Sequence, residues 1–172
     1  MIDPVDLTIR SVRCQSVTPA DDGALAVLTD AIIPLGFHVT PLRFEQDGTA
    51  PIDNFFARLG TSGPHLCYMG HTDVVPSGPI DQWTSPPFLP EIRNGILYGR
   101  GVADMKGGNA AFVAAVSRFL ADTPNFKGSI SLLITGDEEA ASINGSVKVI
   151  AWMKDNNQLP DVALVGEPSN KN

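Results

Sequence analysis

The stretch Ser129–Thr135 places apolar side chains at Ile130, Leu132, Leu133 and Ile134. Successive side chains of a strand point to opposite faces, so Leu132 beside Leu133 demands cover on both sides. A sheet with one wet face would not accept it. Asp161–Val165 reads the same way, as a second buried strand. Helical spacing surrounds these runs. Val5, Ile9 and Val12 predict a helix from Asp3 to about Gln15. Leu25, Leu28, Ile32 and Leu35 predict another, capped by Asp21 or Asp22 and ended by Gly36. Phe112, Val113, Val116 and Phe119 predict a helix over Gly107–Ala121, and Asn144–Asn156 predicts a fourth with Val147, Ile150 and Ala151 inward. Phe37–Arg43, Asn54–Leu59 and His65–Met69 are short extended pieces, separated by turns at Asp47 and Gly48 and at Ser62 to Pro64. Strands and helices alternate through the second half. The fold class this implies is α/β, a three-layer α/β/α domain with a mixed, largely parallel sheet.

Between Pro76 and Pro90, prolines at 76, 79, 86, 87 and 90 exclude a regular element and predict a long ordered loop. Asn94 and Gly95 between short β-prone runs predict a tight hairpin. The 172 residues suffice for one domain with a full core, and 43% apolar with 18% charged residues excludes a disordered chain. A net charge of −7 argues against nucleic acid or an anionic membrane as partner. The acidic first residues, Asp3 and Asp6, do not make a signal peptide, and no apolar run is long enough to span a bilayer. Cys14 and Cys67 have no paired spacing and read as reduced thiols of a reducing compartment, the cytoplasm.

In open α/β sheets ligands bind at the carboxyl ends of the strands. His71 follows the extended piece His65–Met69, Glu138 and Glu139 follow Ser129–Thr135, and Glu167 follows Asp161–Val165. Chance would scatter such groups over both rims. Asp104, after the hairpin and before a helix, is either a helix cap or a carboxylate able to bridge two cations. Asp73, two residues after His71 on extended chain, is either a turn residue or the acceptor for the second ring nitrogen of a metal-binding imidazole. Glu138 and Glu139 repel one another unless a cation holds them. If one of that pair binds metal, the other is free to take a proton from a water the metal acidifies. Without the other groups, Asp137 to Glu139 would read as a solvated acidic turn, and Glu167 as a loop acid. Mixed imidazole and carboxylate donors suit Zn2+, Co2+ or Mn2+ better than a structural thiolate site.

Five segments together resemble the M20 metallopeptidase family. They are Gly70 to Pro76, Trp83 to Phe88, Gly99 to Gly107, Thr135 to Ala140 and Gly166 to Ser169. The resemblance runs over essentially the whole chain and implies a zinc-dependent exopeptidase-like fold. It implies that His71 and Glu167 hold one Zn2+, Glu139 the other, and Asp104 bridges them. It further implies Glu138 as general acid and base, Asp73 as partner of the His71 ring, and a cis peptide between Asp104 and Met105. Asn144 to Val149 and Ser16 to Pro19 lean toward the desuccinylase branch. The implied reaction is hydrolysis of N-succinyl-LL-2,6-diaminopimelate to succinate and LL-diaminopimelate in lysine biosynthesis. Acetylornithine deacetylation and aminoacylase or carboxypeptidase activity are the alternatives. Family members are about twice as long. On that pattern residues 1–172 are expected to form a single, truncated catalytic domain. The lid or dimerisation domain and a C-terminal catalytic segment, with a further histidine ligand, would lie outside it. The full-length form is implied to be a homodimer with two Zn2+, Co2+ being a possible replacement, acting on a small N-acyl amino acid. A chain of this extent would then turn over weakly or act only as a metal-binding fragment. His38 and His65 match no motif and are not recruited to the site.

Overall fold

A computed structural model describes residues 1–169. Helix α1 (Pro4–Arg13) begins where the Asp3 carboxylate accepts a hydrogen bond from the Val5 amide at 2.8 Å, with Pro4 in the first turn and Arg10 and Arg13 in the last. Helix α2 (Ala24–Ile32) is preceded by Asp21, whose carboxylate accepts from the Gly23 and Leu25 amides. It tightens into a 3₁₀ turn and stops at Gly36, whose φ of 95° is the left-handed geometry that glycine adopts without penalty.

Strands β1 (His38–Phe44), β2 (Ile52–Leu59), β3 (His65–His71), β6 (Ser129–Thr135) and β7 (Val162–Val165) form one five-stranded sheet in the order β1-β2-β6-β3-β7. The pairs β1–β2 and β2–β6 are antiparallel, whereas β6–β3 and β3–β7 are parallel. A separate hairpin of β4 (Glu91–Arg93) and β5 (Ile96–Tyr98) turns at Asn94 and Gly95, both at positive φ, as the sequence predicts.

Two cores flank the sheet. On one face α1, α2 and α3 (Gly107–Asp122) cover Phe55, Ala57, Tyr68, Leu132 and Ile134, with Leu7, Leu28 and Val113 pressed against them. On the other, α4 (Ser146–Asp155) covers Phe56, Cys67 and Leu133 through Val149 and Met153. Leu132 and Leu133 are thus buried on opposite faces, and truncating either to alanine costs about 2–5 kcal/mol. The three-layer α/β/α architecture follows directly.

Two details depart from the sequence expectation. The inward face of α4 is Val149, Met153 and, partly, Trp152, whose ring packs 5.6 Å from Phe56. Val147, Ile150 and Ala151 lie outward, because the Val149–Met153 pair one turn apart makes the contact with the sheet. Strand β7, expected to be buried, is exposed along its length. It pairs with β3 on one side only, and among the described residues nothing covers Val162, Leu164 or Val165.

Candidate metal centre

The carboxyl ends of β3 and β6 lie side by side, with His71 directly opposite Thr135. This register brings the loops after both strands to one rim. The same rim receives the residues after β7, since β7 runs parallel to β3 and Gly166 donates to the Met69 carbonyl. Gly166 packs against the Tyr68 ring, where any side chain would collide.

His71 is fully buried and is the hub. Its Nε2 stands 3.1 Å from Asp104 Oδ1, 3.6 Å from Glu167 Oε1 and 3.8 Å from Glu138 Oε2. Ligand atoms of His71, Asp104 and Glu139 lie within 4.8 Å of one another, and so do those of His71, Glu138 and Glu167. His71, Asp104, Glu138, Glu139 and Glu167, five of the six chemistry-bearing residues singled out in the sequence, therefore meet in one cluster, and Asp73 lies behind the His71 ring. Among the described residues these two groups are the only ones able to hold a metal ion; neither includes His38, His65 or a cysteine.

Asp73 does more here than its spacing suggests. The His71 Nδ1 is 2.9 Å from the Asp73 backbone carbonyl and 3.4 Å from its carboxylate. The Asp73 carboxylate itself, buried, accepts the backbone amides of Glu138 at 3.1 Å and Glu139 at 3.0 Å. One residue thus orients the imidazole, through its backbone carbonyl with the carboxylate behind it, and with that carboxylate fixes the loop that carries the acidic pair.

The third acid of that loop behaves differently from a solvated turn. Asp137 is buried, and its carboxylate accepts the amides of Ser142, Ile143 and Asn144. Asn54 joins this base by donating to the Asn144 carbonyl and accepting from the Thr135 hydroxyl. Asn109 donates to the His71 carbonyl at 2.7 Å and accepts from the Tyr68 hydroxyl. Ser16 donates to the Thr72 carbonyl at 2.7 Å. Periodicity and motif spacing do not single out these supporting residues, because each acts through a backbone group distant in sequence.

Asp104 sits in the turn Val102–Lys106, where the Asp104–Met105 peptide is cis. Gly101, at φ 76°, opens that turn, and the Lys106 amide closes it onto the Gly101 carbonyl at 2.9 Å. Asp104 therefore enters the site from a turn anchored by the buried Met105 and is not a helix cap.

The charges are unbalanced without a cation. Burial alone would lower the His71 pKa, but the Asp73 carboxylate, seconded by Glu167, raises it to about 9. Burial and the neighbouring Asp104 push Glu139 above the usual carboxylate range. Burial and Glu138 push Glu167 up against the pull of His71. One imidazole facing this many carboxylates, two of them raised in pKa by burial and by the charge of neighbouring carboxylates, is a donor set that fits a divalent cation. The Asp104, Glu138 and Glu167 side chains keep 49%, 47% and 38% of their surface open, so solvent and small molecules reach them.

The family model described as Peptidase family M20/M25/M40 matches residues 67–172. A curated relative from Thioalkalivibrio sulfidiphilus, named succinyl-diaminopimelate desuccinylase, is 52% identical over 169 residues, covering 98% of this chain and 44% of the relative. A protein of the same name from Gluconacetobacter diazotrophicus is 57% identical over 159 residues, covering 92% of this chain and 41% of its own. The crystal structure of human carnosine dipeptidase 1 superposes with a TM-score of 0.82 at 27% identity, over 94% of this chain and 38% of that one. The chain thus spans less than half the length of the curated relatives it matches.

Proposed function

The chain belongs to peptidase family M20/M25/M40, and on that premise we propose that it forms the metal-holding part of a zinc-dependent amide hydrolase. Its substrate is N-succinyl-LL-2,6-diaminopimelate, cleaved to succinate and LL-diaminopimelate for lysine biosynthesis. The observation that carries the reading is the convergence of Asp104, Glu138, Glu139 and Glu167 on the buried His71. The names of the two curated relatives supply the substrate.

In this reading His71 and Glu167 would hold one Zn2+ and Glu139 a second, with the Asp104 carboxylate available to both; Co2+ would be an acceptable replacement. Bound cations supply Lewis acidity toward the amide carbonyl and lower the pKa of water. Glu138 takes a proton from the attacking water as its oxygen bonds to the amide carbon. It delivers that proton to the nitrogen as the carbon–nitrogen bond breaks, giving a neutral amine and a carboxylic acid, which then exchange the acid proton to become ammonium and carboxylate. Asp73 keeps the His71 ring and the Glu138 backbone in register for this exchange. Partners are small N-acyl amino acids; nucleic acid and membranes are not, and the longer form is a homodimer. No helix among the described residues is long and apolar enough to cross a membrane. The free thiols of Cys14 and Cys67 support a cytoplasmic location.

The test is hydrolysis of N-succinyl-LL-2,6-diaminopimelate, N-acetylornithine and a dipeptide by Zn2+-saturated protein. Turnover of the succinyl substrate above the others is expected. Preference for the acetyl substrate or the dipeptide would shift the reading to a sister activity. Zn2+ uptake without hydrolysis of any of them would favour a second reading, a metal-holding domain without turnover. That reading has one observation in its favour, the openness of Asp104, Glu138 and Glu167 to solvent, which weakens the electrostatic interactions that a closed site would strengthen.

A further inference from the structure

Lys106 is a fully buried ammonium with no carboxylate within salt-bridge distance among the described residues. An ammonium is costly to bury, and an apolar side chain would fill the same volume. What the amine does instead is donate to the Ser11 carbonyl at 3.0 Å and the Cys14 carbonyl at 2.8 Å. These lie at the C-terminal end of α1, where the helix dipole favours a cation; the Ser11 carbonyl also accepts the Cys14 amide at 3.2 Å.

The chain leaving that helix end is tied in turn to the His71 strand exit. Val17 bridges Val74 in parallel, the Val74 amide donates to the Ser16 carbonyl at 3.0 Å, and the Ser16 hydroxyl donates to the Thr72 carbonyl at 2.7 Å. Lys106 also closes the turn that presents Asp104, through its own amide on the Gly101 carbonyl. Among the described residues Asp104, by contrast, makes no side-chain hydrogen bond other than that to His71.

We propose that Lys106 is a positioning residue of the metal centre. It fastens the Asp104 turn to the end of α1, and through residues 16–18 to the segment that carries His71 and Asp73. The proposal rests on the metal reading given above, and it concerns the distance between two ligands that come from separate parts of the chain. Partners that orient ligands in this way affect metal affinity about 10–100-fold.

The experiment measures Zn2+ affinity by competition with a chromophoric chelator, alongside urea unfolding, for the wild type, Lys106→Met and Met153→Ala. Met153 lies in the core on the opposite face of the sheet, under α4, and its truncation is a stability control that leaves the rim alone. Lys106→Met is expected to bind Zn2+ at least tenfold more weakly, while Met153→Ala, though destabilised, binds as the wild type does. Wild-type affinity in Lys106→Met, or equal losses in the two variants, would overturn the positioning role. If Lys106→Met does not fold, Ser16→Ala decides: it removes the hydroxyl link to Thr72 and is expected to weaken Zn2+ severalfold, and unchanged affinity overturns the proposal. Failure of the wild type itself to bind Zn2+ would remove the metal reading, and this proposal with it.

Discussion

Strand β3 carries a buried histidine at each end, and the two differ in everything but residue type and burial. His65 meets the Ser131 hydroxyl at 2.8 Å, and burial, followed by the nearby Arg58 charge, pulls its pKa below the ordinary value. His71 meets carboxylates, and its pKa rises to about 9. The strand delivers both rings to equally dry positions, so neither burial nor the imidazole makes the site. What differs is the rim. At the amino end of β3 the ring meets the Ser131 hydroxyl with the Arg58 cation near it, while the Asp161 carboxylate is held by the His65 backbone amide and not by the ring. At the carboxyl end, parallel pairing with β6 and β7 brings in the acids after each strand. In this sheet the candidate metal centre is a property of strand direction.

The largest expected effect comes from removing the hub. His71→Ala is expected to lose stoichiometric Zn2+, read by atomic absorption after gel filtration. His65→Ala, on the same strand, is expected to keep it. Equal loss in both would erase the contrast between the two rims.

Next is Glu138→Gln, which keeps size and removes the proton carrier. Hydrolysis is expected to fall by about 10²–10⁴-fold with Zn2+ retained. Loss of Zn2+ as well would exchange the roles of Glu138 and Glu139.

The two rings also carry opposite pH signatures. The folded pKa of His71 lies above 6.5, so its contribution to metal-free stability is complete below pH 6.5 and is lost as pH rises through about 9. At about 1.4 kcal/mol per pH unit the whole effect is at most about 3.5 kcal/mol. His65 has its folded pKa lowered, so its contribution is present above pH 6.5 and is lost as pH falls through that lowered value. Urea unfolding of the metal-free chain between pH 6 and 8, below the range where the buried Lys106, its pKa lowered to about 8, adds stability with rising pH, is expected to show declining stability that His71→Ala abolishes. A flat profile would mean that the imidazole does not feel the acids. The same protonation predicts release of a proton from His71 when Zn2+ binds at pH 7, measurable as a dependence of the binding heat on the buffer.

The smallest effect is the stability cost of His65→Ala, about 1–3 kcal/mol, from leaving the buried Ser131 hydroxyl unpaired. A larger loss would point to a role for this rim beyond packing.

Much of this was legible in the sequence because strand patterns and their following turns are local. The adjacent Leu132 and Leu133 require two covered faces, and the acids after the strands all fall on one rim. Asn94 and Gly95 need positive φ, which only a few residue types accept, so the hairpin is readable as well. The inward face of α4 was not legible, since Val147, Ile150 and Ala151 form as good a stripe as Val149 and Met153 until the sheet is in place. Nor was the exposure of β7, because an apolar strand does not reveal on how many sides it is covered. Within the site, His71 and the acids were readable from type and position. The Asp73 contacts to the Glu138 and Glu139 amides and the Lys106 contacts to the α1 carbonyls were not, since backbone acceptors and donors leave no mark on residue identity.

The most direct test of a metal centre at this rim is an anomalous difference map, recorded at the zinc edge from crystals grown with Zn2+. Density is expected within bonding distance of His71 Nε2, flanked by the carboxylates of Asp104, Glu139 and Glu167. Density at His38 or His65 instead, or a protein that crystallises with Zn2+ and shows none beside His71, would contradict it.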